Sequence, residues 1–196
     1  MLDKTVEYYN ENAQEFFDTT VAADMSQLLD EFIKLLPEGG AVLDAGCGSG
    51  RDSLGLKRRG FKVVAFDASE EMCKRASELL GQMVRQCRFE ELDYVDQFDG
   101  IWACASLLHV TREAMPDVIN RLSIALKTNG VLYASFKHGT GECYRGARRF
   151  TDADDAYLRE ILKDSFEIIE ISESKDVRPE KVDEVWINVF ARKKSR

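Results

Sequence analysis

The five cysteines, at 47, 73, 87, 104 and 143, never form a C-x-x-C pair, so the chain shows neither a zinc knot nor a redox dithiol. An odd, dispersed set fits a reducing compartment. No apolar run approaches the roughly 18 residues of a membrane span. The first residues, Met1-Leu2-Asp3-Lys4-Thr5-Val6-Glu7, carry neither the apolar core nor the cleavage site of a secretory leader, and the expected location is cytoplasmic. An excess of basic charge is missing as well. Lys and Arg number 27 against 35 Asp and Glu, a net charge of −8, which argues against an extended nucleic-acid surface because phosphate binding rests on clustered cations. Repeats and low-complexity tracts are absent. What remains is 196 residues, 44% apolar and 32% charged, the balance of a globular chain able to bury a core without staples. We read 1–196 as one domain.

The stretch Val42-Leu43-Asp44-Ala45-Gly46-Cys47-Gly48-Ser49-Gly50-Arg51 runs from an apolar strand into a glycine-rich turn and on into a helix. Glycines at 46, 48 and 50 allow positive φ and leave main-chain N–H groups open to a ligand. The positive end of the following helix points at the same place. A dinucleotide fingerprint G-x-G-x-x-G needs a third glycine at 51, where this chain has Arg51. The next strand, Lys62-Val63-Val64-Ala65-Phe66, ends at Asp67, 17 positions after Gly50. A carboxylate there accepts hydrogen bonds from both hydroxyls of a ribose.

Elsewhere the periodicity predicts helices over 3–18 and about 22–36, the second ended by Pro37-Glu38-Gly39-Gly40. A helix from 51 to 59 ends at Gly60, and Ser69 caps the next, with Glu70 and Glu71 in its first turn. Met83–Cys87 reads as a third strand. Phe98–Val110 reads as an apolar strand that emits Ala105, Ser106 and then His109 at its C-terminal end, the edge where open α/β sheets bind ligands. A helix follows from Thr111 to about 128, closed by Asn129-Gly130, and a strand covers Val131–Phe136. Residues 137–150 read as a long loop whose Arg145, Arg148 and Arg149 either bind an anionic acceptor or balance Asp152, Asp154 and Asp155. A capping pattern at Thr151–Asp154 opens another helix. Strands at 166–172 and 185–192 follow, antiparallel to each other across the charged connection 173–184, and 193–196 is a polar tail.

Strands alternating with helices indicate a doubly wound, mostly parallel α/β sheet. The G-x-G-x-G loop after Asp44, together with Asp67 and Phe98–His109, resembles the class I S-adenosylmethionine-dependent methyltransferases, and the likeness runs from about 8 to 192. That resemblance implies a seven-stranded Rossmann-like sheet with an antiparallel last strand, and N-terminal lid helices over about 3–36. It implies S-adenosylmethionine as cofactor, S-adenosylhomocysteine as product, and no metal. Asp44, Gly46, Cys47, Gly48, Gly50 and Arg51 would take the methionine end, and Asp67 the ribose. Ala68, Met72 and Phe89 would lie along the adenine, although Met72 equally suits the core. The family's adenine-reading acid aligns with Arg88, so that task passes to Glu90, or to the backbone and Phe89. Tyr9 either lines the methionine end or packs in the core with Phe16 and Phe17. Ala105 and Ser106 form the wall behind the methyl group. His109 is either a base, with His138 as the second candidate, or an imidazole satisfied by nearby backbone. No Asn-Pro-Pro-Tyr motif is present, which argues against a base amino group or glutamine amide as acceptor. The compact chain looks most like enzymes acting on small molecules, the tellurite-resistance type among them. Two rivals are a non-catalytic cofactor-binding protein of the same fold and an NAD-dependent oxidoreductase.

Overall fold

The computed structural model describes residues 4–178 and 181–195. Helices α1 (Lys4–Glu11), α2 (Ala13–Thr20) and α3 (Ser26–Ile33) precede β1 (Ala41–Ala45), α4 (Arg51–Arg58), β2 (Lys62–Asp67), α5 (Glu70–Leu80) and β3 (Arg85–Gln86). Then come β4 (Phe98–Ala103), α6 (Met115–Ala125), β5 (Leu126–Lys137), β6 (Glu142–Arg145), β7 (Arg148–Thr151), α7 (Asp155–Leu162), β8 (Phe166–Lys175) and β9 (Val185–Lys193). Seven strands form one sheet in the order β3-β2-β1-β4-β5-β9-β8, parallel except that β9 runs antiparallel to both neighbours. The order reverses between β1 and β4. A crevice therefore opens at their C-terminal ends, where the glycine loop and Ala105-Ser106 emerge.

The central strands are apolar on both faces because both are covered. On one face Leu43, Ile101 and Leu132 pack with Leu122 of α6 and Leu158 of α7. On the other, Val42, Trp102 and Tyr133 pack with Phe32 of α3 and Leu56 of α4. Trp102 stacks on Tyr133 with ring centroids 3.9 Å apart. The close approach of α3 depends on Gly100 in β4, since a Cβ there would lie 2.7 Å from the Phe32 ring and 2.8 Å from Leu36.

Several boundaries differ from expectation. The helix predicted over 3–18 is two helices broken at Asn12, whose φ of −109° is not helical and whose side chain bonds back to the Tyr8 carbonyl at 2.8 Å, the local competition that makes Asn a poor interior helix residue. Residue 3 lies outside the described residues. The 22–36 helix shrinks to α3 and ends in tight turns in which Leu35 and Leu36 bond only three residues back. The third strand is two residues long, and Met83 stands exposed. Thr111 caps a turn ahead of α6 through the Ala114 N–H at 3.1 Å. The helix itself stops at Ala125 because Leu126 already pairs with Phe98 in the sheet, while Asn129 takes the left-handed conformation (φ 64°) inside β5.

Residues 137–150 are not a loop. They contain a hairpin in which Cys143 pairs with Phe150 and Gly146 (φ 63°) makes the turn. Asp154, not Thr151, caps α7, by accepting from the Tyr157 N–H. β8 extends to Lys175, so the link to β9 is 176–184, of which 179 and 180 lie outside the described residues, as does 196 of the tail.

Candidate functional site

A cavity of about 690 Å³ follows the C-terminal edge of the sheet, within the range that holds a nucleotide-sized ligand. Its floor is the glycine loop, where Gly46, Gly48 and Gly50 all hold positive φ (74°, 52° and 78°). Gly46 and Gly48 line the cavity with Cys47. Gly50 serves from behind, since a Cβ there would meet Ala76 of α5 at 3.1 Å. Gly46 and Cys47 both donate main-chain N–H groups to the Phe66 carbonyl, which ties the loop to the end of β2.

Asp67, at that end, faces the cavity half-buried. One carboxylate oxygen accepts from the Gly48 N–H and the other from the Ser69 N–H, both at 2.9 Å. Burial pushes its carboxyl up, opposed by the N–H groups of Ser69, Gly48 and Ala68. The side chain is thus held in one orientation, and each oxygen keeps a second lone pair. Ala68 lines the cavity beside it, as does Met72, otherwise buried in the wall. Phe89 packs edge-on against Phe66 at 5.2 Å. Arg88 and Glu90 reach the rim, and Glu90 is exposed.

Asp44 is 2% exposed and bonds to the Ser53 hydroxyl at 2.6 Å. Burial, and then the charge of Asp52, raise its carboxyl to about 7. A carboxylate held near neutrality at the cavity wall gains most from a cation placed beside it. Arg51 lines the cavity, and its Nε and Nη2 fork onto Asp52 at 2.6 and 2.8 Å. Asp52 also accepts from Trp102 Nε1 at 2.9 Å. The sequence reading missed this buried carboxylate, for which an acid in the first turn of a helix was the only signal.

Ala105, with φ of 52°, and Ser106 form the opposite wall. Ser106 donates to the Ala45 carbonyl at 2.6 Å and so fastens the end of β4 to β1. Over the cavity lies α1. Its Asn10 side chain accepts from the Ser69 hydroxyl at 2.7 Å, and Tyr9 lines the cavity with its hydroxyl 2.9 Å from His109 Nε2. Phe16 follows Tyr9 edge-on at 5.0 Å and sits over the loop, where a Cβ on Gly48 would meet its ring at 3.4 Å. The sequence reading put Phe16 in the core; its spacing from Tyr9 was the available clue. His109 Nδ1 meets the Arg149 carbonyl at 2.7 Å. Of the three arginines, Arg145 is forked onto Asp152 at 2.9 and 2.6 Å. Arg148 reaches the cavity beside Tyr9, and Arg149 and His138 do not line it. All five cysteines are free thiols. Among the described residues no cluster of metal-ligating side chains occurs, and no helix is long and apolar enough to cross a membrane.

Fold and cavity together define an α/β chain with a cleft at the switch point of its sheet. Comparison with known proteins narrows that class. Residues 42–130 match the family model described as a methyltransferase domain. The chain is 31% identical over 113 residues to YqeM of Bacillus subtilis (strain 168), provisionally named a methyltransferase, a match covering 52% of this chain and 46% of the relative. It is 32% identical over 125 residues to the magnesium-protoporphyrin O-methyltransferase of Rhodobacter capsulatus, covering 61% and 54%. Among solved structures, the 1,6-didemethyltoxoflavin-N1-methyltransferase of Burkholderia thailandensis, bound to 1,6-didemethyltoxoflavin and S-adenosylhomocysteine, superposes with a TM-score of 0.81 at 24% identity, over 98% of this chain and 88% of that one. The chain spans about half the length of the curated relatives it matches. The segment 42–130, under half of the chain, is thus similar to methyltransferase domains, and the solved structure shares the fold over nearly the whole chain.

Proposed function

We propose that the protein transfers a methyl group from S-adenosylmethionine to a small-molecule acceptor. The observation that carries this reading is the meeting, in one cavity, of a loop with glycine at every second position, a fixed carboxylate at Asp67 and a carboxyl at Asp44 raised to about 7. When bound, the cofactor supplies a methyl group on a sulfonium, activated for in-line displacement. The residues do the positioning. The spare lone pairs of Asp67 suit two vicinal hydroxyls. Asp44 suits an ammonium, and the loop N–H groups with the start of α4 suit a carboxylate. Phe89, Ala68 and Met72 offer an apolar slot for a planar base, with Arg88 and Glu90 at its rim. Ala105 and Ser106 close the wall opposite. Holding donor and acceptor in line supplies on the order of 7–11 kcal/mol of barrier reduction, so little covalent chemistry is asked of the protein.

For the acceptor, the 1,6-didemethyltoxoflavin bound in the Burkholderia thailandensis enzyme supports a small molecule. If that molecule is anionic, Arg148 is the cation that faces it, because Arg145 is already paired with Asp152. Calorimetry with S-adenosylmethionine, S-adenosylhomocysteine and NAD tests the cofactor. We expect micromolar binding of the first two, and tighter binding of NAD would sink the reading. Labelled methyl donor with a cell extract then separates a transferase from a protein that only binds the cofactor.

A further inference from the structure

We propose that Tyr9 and His109 form a proton relay, and that the acceptor is therefore a protic nucleophile, a hydroxyl or an amine that must shed a proton as it is methylated. The inference rests on the methyl-transfer reading and adds the acceptor's chemistry to it.

A main-chain carbonyl only accepts, so the 2.7 Å contact between His109 Nδ1 and the Arg149 oxygen places the ring proton on Nδ1. In the neutral ring, Nε2 then presents its lone pair to Tyr9, 2.9 Å away, and the phenol donates to it. The ring is further held by the edge of Phe150, with centroids 4.9 Å apart. A contact that only fastened α1 to the turn Leu107–His109 would need one hydrogen bond. Here a second bond, on the far nitrogen, fixes which nitrogen is the base.

Tyr9 and His109 both line the cavity, with Tyr9 on the wall next to the glycine loop, where Phe16 packs on it. Arg148 Nη1 lies 3.4 Å from the phenol oxygen, and its guanidinium lies over the Tyr8 ring at 4.7 Å. A fixed positive charge there favours negative charge developing on the oxygen during transfer. Burial raises the phenol above its ordinary value, with Arg148 opposing. Tyr9 therefore keeps its proton at rest, and its hydrogen bond directs that proton toward His109 Nε2.

The step balances as follows. A lone pair of the acceptor forms the new bond to the methyl carbon, while the carbon–sulfur pair returns to sulfur. The acceptor's proton passes to Tyr9 Oη as the phenol's own proton passes to His109 Nε2. The imidazolium then releases that proton to solvent. Tyr9 is the catalytic residue and His109 the positioning residue behind it. The titratable and charged groups around the ring include Tyr9 from α1 and Arg148 and Arg149 from β7, Arg149 Nη2 also bonding the His109 carbonyl at 3.0 Å.

Two measurements test this. The chain has only two histidines, so in a His138→Ala variant bound to S-adenosylhomocysteine, nitrogen NMR reads His109 alone. A proton on Nδ1 with bare Nε2 is expected, and the opposite tautomer overturns the relay without any acceptor being known. Next, wild type, Tyr9→Phe and His109→Gln receive labelled S-adenosylmethionine and a low-molecular-mass cell extract, with melting curves and donor affinity measured in parallel. Transfer should fall at least about 100-fold in both variants, the usual scale of general base catalysis, with donor affinity within about threefold. The fall in rate at acid pH should vanish from the residual activity of His109→Gln, which still accepts the Tyr9 hydrogen bond but takes no proton. Unchanged transfer in a folded variant, or a thioether product, overturns the relay. A wild type that binds donor and labels nothing overturns the methyl-transfer reading itself.

Discussion

Gly46 and Ser106 touch across the switch point of the sheet so closely that a Cβ on Gly46 would lie 2.5 Å from the Ser106 Cβ. Gly46 also sits at φ 74°. Gly46→Ala therefore combines a clash with backbone strain, and is expected to cost about 2 kcal/mol or more and to abolish measurable cofactor binding. Gly100→Ala, which would strike Phe32 and Leu36 on a covered face remote from the cavity, should lower the melting temperature comparably while leaving cofactor affinity near wild type. Calorimetry and thermal melts on both variants check the contrast.

The Asp67 carboxylate is already oriented by two main-chain N–H groups. Asp67→Asn should weaken S-adenosylhomocysteine binding on the order of 100-fold, because charged hydrogen bonds are worth roughly 1.5–3 kcal/mol each. Asp67→Ala should weaken it further by also releasing the Gly48 N–H. A titration in which Asn binds like wild type would show that the ribose lies elsewhere.

Asp44, raised to about 7, makes affinity depend on pH. A cation beside it favours the ionised form, so binding should tighten as pH rises from 6 to 8 and should release up to one proton below pH 7. Calorimetry in buffers of different ionisation enthalpy measures that release, and Asp44→Asn should eliminate it. In the free protein the sign is set by the raised value: the unfolded chain gives up this proton near 4 and the folded chain near 7. Stability contributed at Asp44 is therefore lost as pH climbs between those values. Asp44→Asn should melt higher than wild type at pH 8, with the difference shrinking toward pH 4.

Asp52 is 5% exposed and carries the Arg51 fork and the Trp102 N–H. Asp52→Ala strands a guanidinium and an indole donor, and is expected to destabilise by about 3–5 kcal/mol. A smaller loss is expected from Asp52→Asn, which retains an acceptor. Either change removes a like charge from beside Asp44, so the pH midpoint of cofactor binding should move down. Chemical denaturation and the calorimetric pH series read the two effects separately.

Much of this arrangement was legible in the chain. A continuous apolar strand, three alternating glycines and an acid closing the next strand are local signals, and each is forced by sterics or by burial on both faces. Phe98–Ala103 followed by small residues was legible for the same reason. What escaped was made by distant partners. The Tyr9–His109 contact spans 100 positions, and the Asp52 carboxylate under the Arg51 fork is met by Trp102, 50 positions away on β4. The 142–151 hairpin was hidden because its strands are four residues each and mix arginines with single apolar side chains, so alternation never built up over a readable length.

The strap from β7 onto α1 bears on the expected order of assembly. The Arg149 N–H meets the Thr5 hydroxyl across 144 positions, and such a contact is won only after the intervening chain has condensed. The cleft's roof, α1, is expected to settle on the sheet late, since polar links join it and none of its residues belongs to the apolar clusters of the core. It is the part of the molecule expected to open at the least cost, with the seven-stranded sheet left undisturbed, so that traffic through the site need not await global unfolding.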